Sequence, residues 1–208
     1  MTTAHPDTVV LVHGLWMTPR SWEHWVPYYE SKGMRVLTPG YPGFDIEVEA
    51  LREHPETIAG LTVPETVDHL AAVVEGLDAP PVIIGHSFGG TLTQLLLARG
   101  LGAAGVVIDS APTEGVRVTP LSQARSLFPA LRNPAARHRA VGFTPQEFHY
   151  AFANTLSAED SHAASPALTD YHELPERDHW TCAAPGWQEV ADHALTWALE
   201  HARPSRVA

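Results

Sequence analysis

Six consecutive residues, Gly85-His86-Ser87-Phe88-Gly89-Gly90, constrain this chain more than any other stretch. They follow a short apolar run, Pro81-Val82-Ile83-Ile84, and open a run of helical character, Thr91-Leu92-Thr93-Gln94-Leu95-Leu96-Leu97-Ala98-Arg99. Strand, sharp turn and helix therefore meet at a serine set between glycines. In a G-x-S-x-G turn the serine is held in a strained backbone conformation, and the glycines admit neighbours where a Cβ would clash. Such a turn lifts the hydroxyl above the sheet edge, within reach of a histidine. The helix behind it presents its N-terminus to negative charge. The plain alternative is a glycine-rich turn with an idle serine; the strand before it and the helix after it speak against that.

The rest of the N-terminal half repeats the alternation. Thr8-Val9-Val10-Leu11-Val12 reads as a buried strand running into His13-Gly14-Leu15-Trp16. Thr18-Pro19 reads as a helix start, with Trp22, Trp25, Val26 and Tyr29 at helical spacing, Pro27 kinking or shortening it, and Gly33 ending it. Met34-Arg35-Val36-Leu37 is the next strand, and Thr38-Pro39-Gly40-Tyr41-Pro42-Gly43 is turn chemistry. A charged stretch with Glu47, Glu49, Glu53 and Glu56 reads as a solvated loop or short helix. Thr62-Val63-Pro64-Glu65 has the form of a capping box and starts a helix with Val67, Leu70, Ala71, Val74 and Leu77 on one face. After the serine turn and its helix, Val106-Val107-Ile108 is a strand ending at Asp109. Strands alternating with helices predict an α/β fold, a mostly parallel sheet covered by helices on both faces. Ligands of such sheets bind at the carboxyl ends of the strands, where His13-Gly14, Ser87 and Asp109 all fall.

Residues 113–161 differ: arginines, short helical pieces and one capping-box helix from Thr144, which together read as a helical, lid-like insertion over the site. Residues 162–208 return to the core as a strand, Leu168-Thr169-Asp170-Tyr171-His172-Glu173-Leu174, a turn reaching His179, and a closing helix from Gly186. Residues 1–112 form the main body of the core. The 208 residues suffice for one such core with a small lid. A net charge of −11 argues against nucleic acid and anionic membrane partners. A single cysteine, Cys182, excludes an intrachain disulfide and fits a reducing compartment. With no secretory pattern over the first residues and no apolar run of membrane-spanning length, a cytoplasmic location is expected. The thirteen histidines form no H-E-x-x-H or close Cys/His cluster, so neither a metal nor a cofactor is expected.

A serine hydroxyl is a weak nucleophile until a base takes its proton, and His179, on a loop near the chain's end, is the candidate base. In these features the sequence resembles the α/β-hydrolase superfamily, whose chain order is serine, acid, histidine. The resemblance covers most of the chain. It rests on His13-Gly14-Leu15-Trp16, Tyr41-Pro42-Gly43, the serine turn and Asp178-His179-Trp180. It implies a serine esterase-like hydrolase acting on a small ester or related acyl substrate. By it Ser87 is the nucleophile, His179 the base, and the N–H groups of Leu15 and Phe88 an oxyanion hole worth a few kcal/mol per donor. His86 then takes a packing or polar support role and His13 braces its loop. Trp16 either walls an acyl pocket beside Phe88 or packs in the core; both stay open.

The chain departs from the superfamily at the acid. The usual acid-bearing strand and loop have no room in residues 157–167, so one βα unit is missing. Asp109, at the end of the strand after the serine helix, is an alternative acid position; Asp170 and Glu173 are further candidates, while Asp160 and Asp178 are poorly placed. If the last strand slides across the gap, His179 moves by about one strand spacing, 4.8 Å, and the turn before it must absorb the difference. If it does not, an open sheet edge leaves room for a homo-oligomer. An impaired α/β-hydrolase-like protein that binds a ligand or partner is the reading of a different class. C–C cleavage or perhydrolysis on the same scaffold is a third.

Overall fold

The computed structural model describes residues 5–44, 47–111, 128, 172, 174, 175, 177 and 179–203. Four apolar runs become the strands of one sheet: β1 (Thr8–Val12), β2 (Arg35–Leu37), β3 (Val82–His86) and β4 (Ala104–Ile108). Their spatial order is β2-β1-β3-β4 and every pairing is parallel. Parallel strands need crossovers, and helices supply them: α1 (Trp25–Ser31), α2 (Val48–Glu53), α3 (Val63–Glu75) and α4 (Phe88–Ala98), with α5 (Trp187–His201) closing the chain. The α/β architecture read from the sequence is the observed one.

Side chains alternate across a strand, and here both faces are apolar. Val9 and Leu11 of β1, with Val82 and Ile84 of β3, face a core built by Trp25 and Tyr29 of α1 and by Val190, Ala191, Ala194, Leu195 and Ala198 of α5. Val10 and Val12, with Ile83, face Val67, Leu70, Ala71 and Val74 of α3 and Leu92 and Leu96 of α4. All five residues of β1 and of β3 are buried. The capping box at α3 is complete: Thr62 Oγ1 accepts from the Glu65 N–H, and the Glu65 carboxylate accepts from the Thr62 N–H at 3.0 Å.

One expectation needs adjustment, and two that left alternatives open are decided. The helix expected from Thr18 divides into a 3₁₀ turn, Pro19–Trp22, and α1, and Thr18 makes no side-chain cap. Pro27 sits in the first turn of the short α1, where its missing N–H would have no intrahelical acceptor. The charged stretch after β2 is helical, as α2 and a 3₁₀ turn, Pro55–Ile58. The lid-like insertion 113–161, apart from the exposed Phe128, lies outside the described residues. So does the strand read at 168–174, save His172 and Leu174, which are in no strand.

The two ends of the chain are joined through aromatic side chains. The Trp25 Nε1–H donates to the Cys182 carbonyl at 2.7 Å, and the Tyr29 hydroxyl donates to the Ala191 carbonyl at 2.8 Å. Trp25 also stacks on Trp187 at 6.0 Å between centroids. Trp25→Phe, which keeps the ring but orphans the Cys182 carbonyl, should cost about 1–2 kcal/mol in urea unfolding. Trp25→Ala should cost about 3–5 kcal/mol.

Candidate active site

Ser87 stands between β3 and α4 at φ 56°, ψ −121°, a conformation that a non-glycine residue adopts only under constraint. The constraint comes from its neighbours. A Cβ on Gly85 would strike the Gly89 carbonyl and Thr93 Oγ1, and one on Gly89 would strike the carbonyls of Val12 and His13. Backbone bonds fix the turn: the Ser87 N–H donates to the Ile108 carbonyl at 2.9 Å, and the Ala111 N–H donates to the Ser87 carbonyl at 3.1 Å.

His179 arrives from the far end of the chain. Its Nε2 lies 2.8 Å from Ser87 Oγ. If Nε2 accepts the serine hydrogen, the neutral ring carries its own on Nδ1; this tautomer is assigned from the bonding pattern. The loop around His179 is anchored on both sides. Arg177 Nη2 donates to the Gly186 carbonyl and to the Glu189 carboxylate, each at 2.9 Å, and Trp25 holds the Cys182 carbonyl. His179 thus reaches the serine. Nothing in the sequence marked Arg177, whose partners follow nine and twelve residues later.

Asp109 directly follows β4, at φ 46° and exposed. One ligand-capable atom each of His86, Asp109 and His179 lies within 4.8 Å of the others. Asp109 is therefore beside the histidine, as the strand-end reading expects. Asp160, Asp170, Glu173 and Asp178 lie outside the described residues. The same three side chains are the one grouping of metal-ligating type among the described residues. It is assembled by the fold, not by sequence spacing, and both imidazoles already spend a nitrogen on a protein partner.

The residues expected at an oxyanion hole lie on two segments beside the serine, the start of α4 and the loop after β1. Phe88 is the first residue of α4, so its N–H has no intrahelical acceptor. Gly14, next to Leu15, packs so closely that a Cβ there would sit 3.1 Å from Ser87 Cβ. Leu15 itself is 39% exposed. Trp16 has φ 61°, is half-buried and belongs to neither core cluster.

Two histidines support the turn and stay neutral. His13 is fully buried; its Nδ1–H donates to the Gly14 carbonyl at 2.9 Å, and the Tyr41 hydroxyl donates to the His13 carbonyl. Burial pulls the His13 pKa down to about 4, against the Gly14 bond, which raises it. His86 Nε2 donates to the His179 carbonyl at 2.8 Å. Burial, and then the nearness of His179, pull the His86 pKa down to about 3, against that bond. Burial, and then the charge of Asp109, push the Cys182 thiol well up, so it stays a thiol. A cleft of about 450 Å³ opens between Thr18–Arg20 and Phe44–Ala50; neither Ser87 nor His179 lines it.

A parallel sheet, a serine at a strained turn and a histidine returned from the C-terminal region define an α/β fold with a nucleophile-type elbow. The chain belongs to the alpha/beta hydrolase family, whose sequence pattern matches residues 9–207. Among solved structures, it is similar to an extracellular alpha/beta-hydrolase from a Paenibacillus species, with a TM-score of 0.55 and 25% identity over 74% of this chain and 62% of that one. That protein is described as sharing structural and functional homology with tobacco salicylic acid binding protein 2. A lipase-like protein from Acinetobacter baumannii aligns with a TM-score of 0.47 and 19% identity, over 76% of this chain and 51% of that one. The chain therefore spans less than two thirds of the length of either. No curated protein is significantly similar to it. No described helix is long and apolar enough to cross a membrane.

The two depressed histidines set a pH dependence. Each folded pKa lies below the ordinary 6.5, so between that value and about 4 the unfolded chain binds more protons. Stability should be full above pH 6.5 and fall as pH drops, by about 1 kcal/mol per pH unit for each histidine. Urea midpoints compared at neutral and mildly acidic pH, for wild type and for His13→Gln, measure it: the variant's slope should be smaller.

Proposed function

We propose that the protein is a serine hydrolase that cleaves a small ester or related acyl substrate through an acyl-enzyme. The observation that carries this reading is the 2.8 Å approach of His179 Nε2 to the Ser87 hydroxyl at the head of α4. In it, His179 takes the proton from Ser87 Oγ as the oxygen attacks the substrate carbonyl carbon. The resulting oxyanion is met by the N–H groups of Phe88 and Leu15. Collapse breaks the bond to the leaving group, which departs with the proton now on His179. Water then attacks the acyl-enzyme, His179 taking its proton, and the acid leaves with Ser87 restored. Asp109 supplies the carboxylate that favours the imidazolium in both halves. Trp16 and Phe88 wall the acyl side. No step needs a metal or cofactor, and a neutral substrate suits a chain of net charge −11.

The likeness to a hydrolase described as a functional homologue of a salicylic acid binding protein supports a small carboxylic acyl group. The expectation that residues 157–167 leave no room for the acid-bearing unit motivates a second reading, an α/β-hydrolase-like protein that binds a ligand without turning it over. The two separate cleanly. A fluorophosphonate should label wild type and spare Ser87→Ala. With 4-nitrophenyl acetate, Ser87→Ala and His179→Ala should each lower kcat/KM by at least about 10³-fold, and Asp109→Asn by about 10²–10⁴-fold. Equal labelling of wild type and Ser87→Ala, or hydrolysis indifferent to both substitutions, rejects the hydrolase reading and leaves the binding one.

A further inference from the structure

His86 takes no part in the proton transfers above, yet it is a buried polar side chain directly before Ser87. Its residue is 4% exposed, and its ring lies 4.8 Å from that of His179, with the planes tilted by 41°. Its Nε2 is 2.8 Å from the backbone oxygen of His179. A carbonyl oxygen accepts and cannot donate, so that nitrogen carries the hydrogen and the neutral ring is the Nε2–H tautomer. Neighbouring side chains thus grip His179 twice: Ser87 meets its ring and His86 holds its main chain. The other anchors of this loop fall on Arg177, two residues before, and Cys182, three residues after. The His86 bond falls on His179 itself.

We propose that His86 is a positioning residue, which sets the approach of His179 Nε2 to Ser87 Oγ through its bond to the His179 carbonyl. The proposal rests on the hydrolase reading. The elbow makes the arrangement compact, since the turn that raises Ser87 above the sheet also directs the preceding side chain at the incoming loop. A histidine suits the task because it donates without charge. His179 becomes an imidazolium during each half-reaction, and a lysine or arginine in its place would set a fixed positive charge against it. Burial and the neighbouring ring keep His86 neutral across the working range, with a pKa pulled down to about 3. Glutamine places its amide nitrogen the same number of bonds from Cα as His86 Nε2. Asparagine falls one bond short.

Four proteins decide the point: wild type, His86→Leu, His86→Gln and His86→Asn, each checked by thermal melting and assayed with 4-nitrophenyl acetate. His86→Leu and His86→Asn should lower kcat about 100-fold, since a small displacement of a reacting group costs that much. KM should stay within about twofold, because no bond to substrate is lost. His86→Gln should return kcat to within about tenfold of wild type. A His86→Leu protein within about twofold of wild-type kcat overturns the proposal. So does a His86→Gln protein as slow as His86→Leu at equal melting temperature, which is what a packing role alone would give. A readout independent of turnover is the long-range ¹⁵N–¹H spectrum of the histidine rings, with the His86 signals identified by their loss in His86→Gln. They should show the neutral Nε2–H tautomer from about pH 8 down to about pH 5. An Nδ1–H tautomer, or protonation near the ordinary imidazole pKa, overturns the proposal whether or not the protein turns over ester. A wild-type protein that no fluorophosphonate labels, yet shows the expected tautomer, refutes the hydrolase reading alone.

Discussion

The contact between Ser87 and His179 joins points 92 residues apart in the chain, and the arrangement of the C-terminal region serves to make it possible. A loop cannot hold an imidazole at hydrogen-bond distance unless its two ends are fixed, because the loop's own entropy opposes a single geometry. One end is fixed by α5, which buries Val190, Ala191, Ala194, Leu195 and Ala198 against the sheet and α1. Three of those five are alanines, small side chains that permit close packing of the helix on the sheet. The other contribution is directional. Trp25 and Tyr29 bury large rings and end in a donor, so each gives apolar area and also one bond aimed at a C-terminal carbonyl. The first helix of the chain thereby positions the last loop.

The electrostatics of the site follow from burial more than from paired charge. Among the groups packed around the elbow, His13 and His86 have pKa values pulled below the neutral range, and the buried Tyr41 hydroxyl is pushed up, so it remains a donor. Cys182 is likewise held as a thiol. Among the described residues, the histidines and the thiol packed at the elbow are thus held uncharged. In such a setting a proton that moves to His179 meets no like charge from its histidine neighbours.

How much of this was legible in the sequence depends on whether a feature is local. The elbow was, because glycine spacing, a β-branched run and a helical run lie within twenty residues. The sheet was, because β1 and β3 each carry a continuous apolar run, Val9-Val10-Leu11-Val12 and Val82-Ile83-Ile84, where the strand is buried. The division of the first helix at Trp22 was not: the aromatic spacing is helical, but the chain turns between Trp22 and Trp25 so that both rings can meet edge to face at 4.9 Å. That preference is tertiary. Arg177 was equally silent, since its value depends on the left-handed Gly186 and on Glu189, brought near it by the turn into α5. His86 could be given only a supporting role from sequence; its partner is a main-chain atom of a residue 93 positions away.

Asp109 shows how strand register alone can bring a carboxylate to a histidine. β3 and β4 are parallel and pair His86 with Ile108. The next residues out of the sheet are therefore Ser87 and Asp109, leaving side by side, about one strand spacing apart. Both take positive φ, 56° and 46°, so both turn sharply off their strands, and the Ser87 N–H is pinned to the Ile108 carbonyl. A carboxylate at this position needs no further strand to carry it toward the histidine. The pairing of β4 with β3 has already brought it to within 4.8 Å of the imidazoles, in the same step that forms the elbow. A carboxylate stands beside the histidine for this reason: β4 ends in an acid one residue past its pairing with His86, at Asp109.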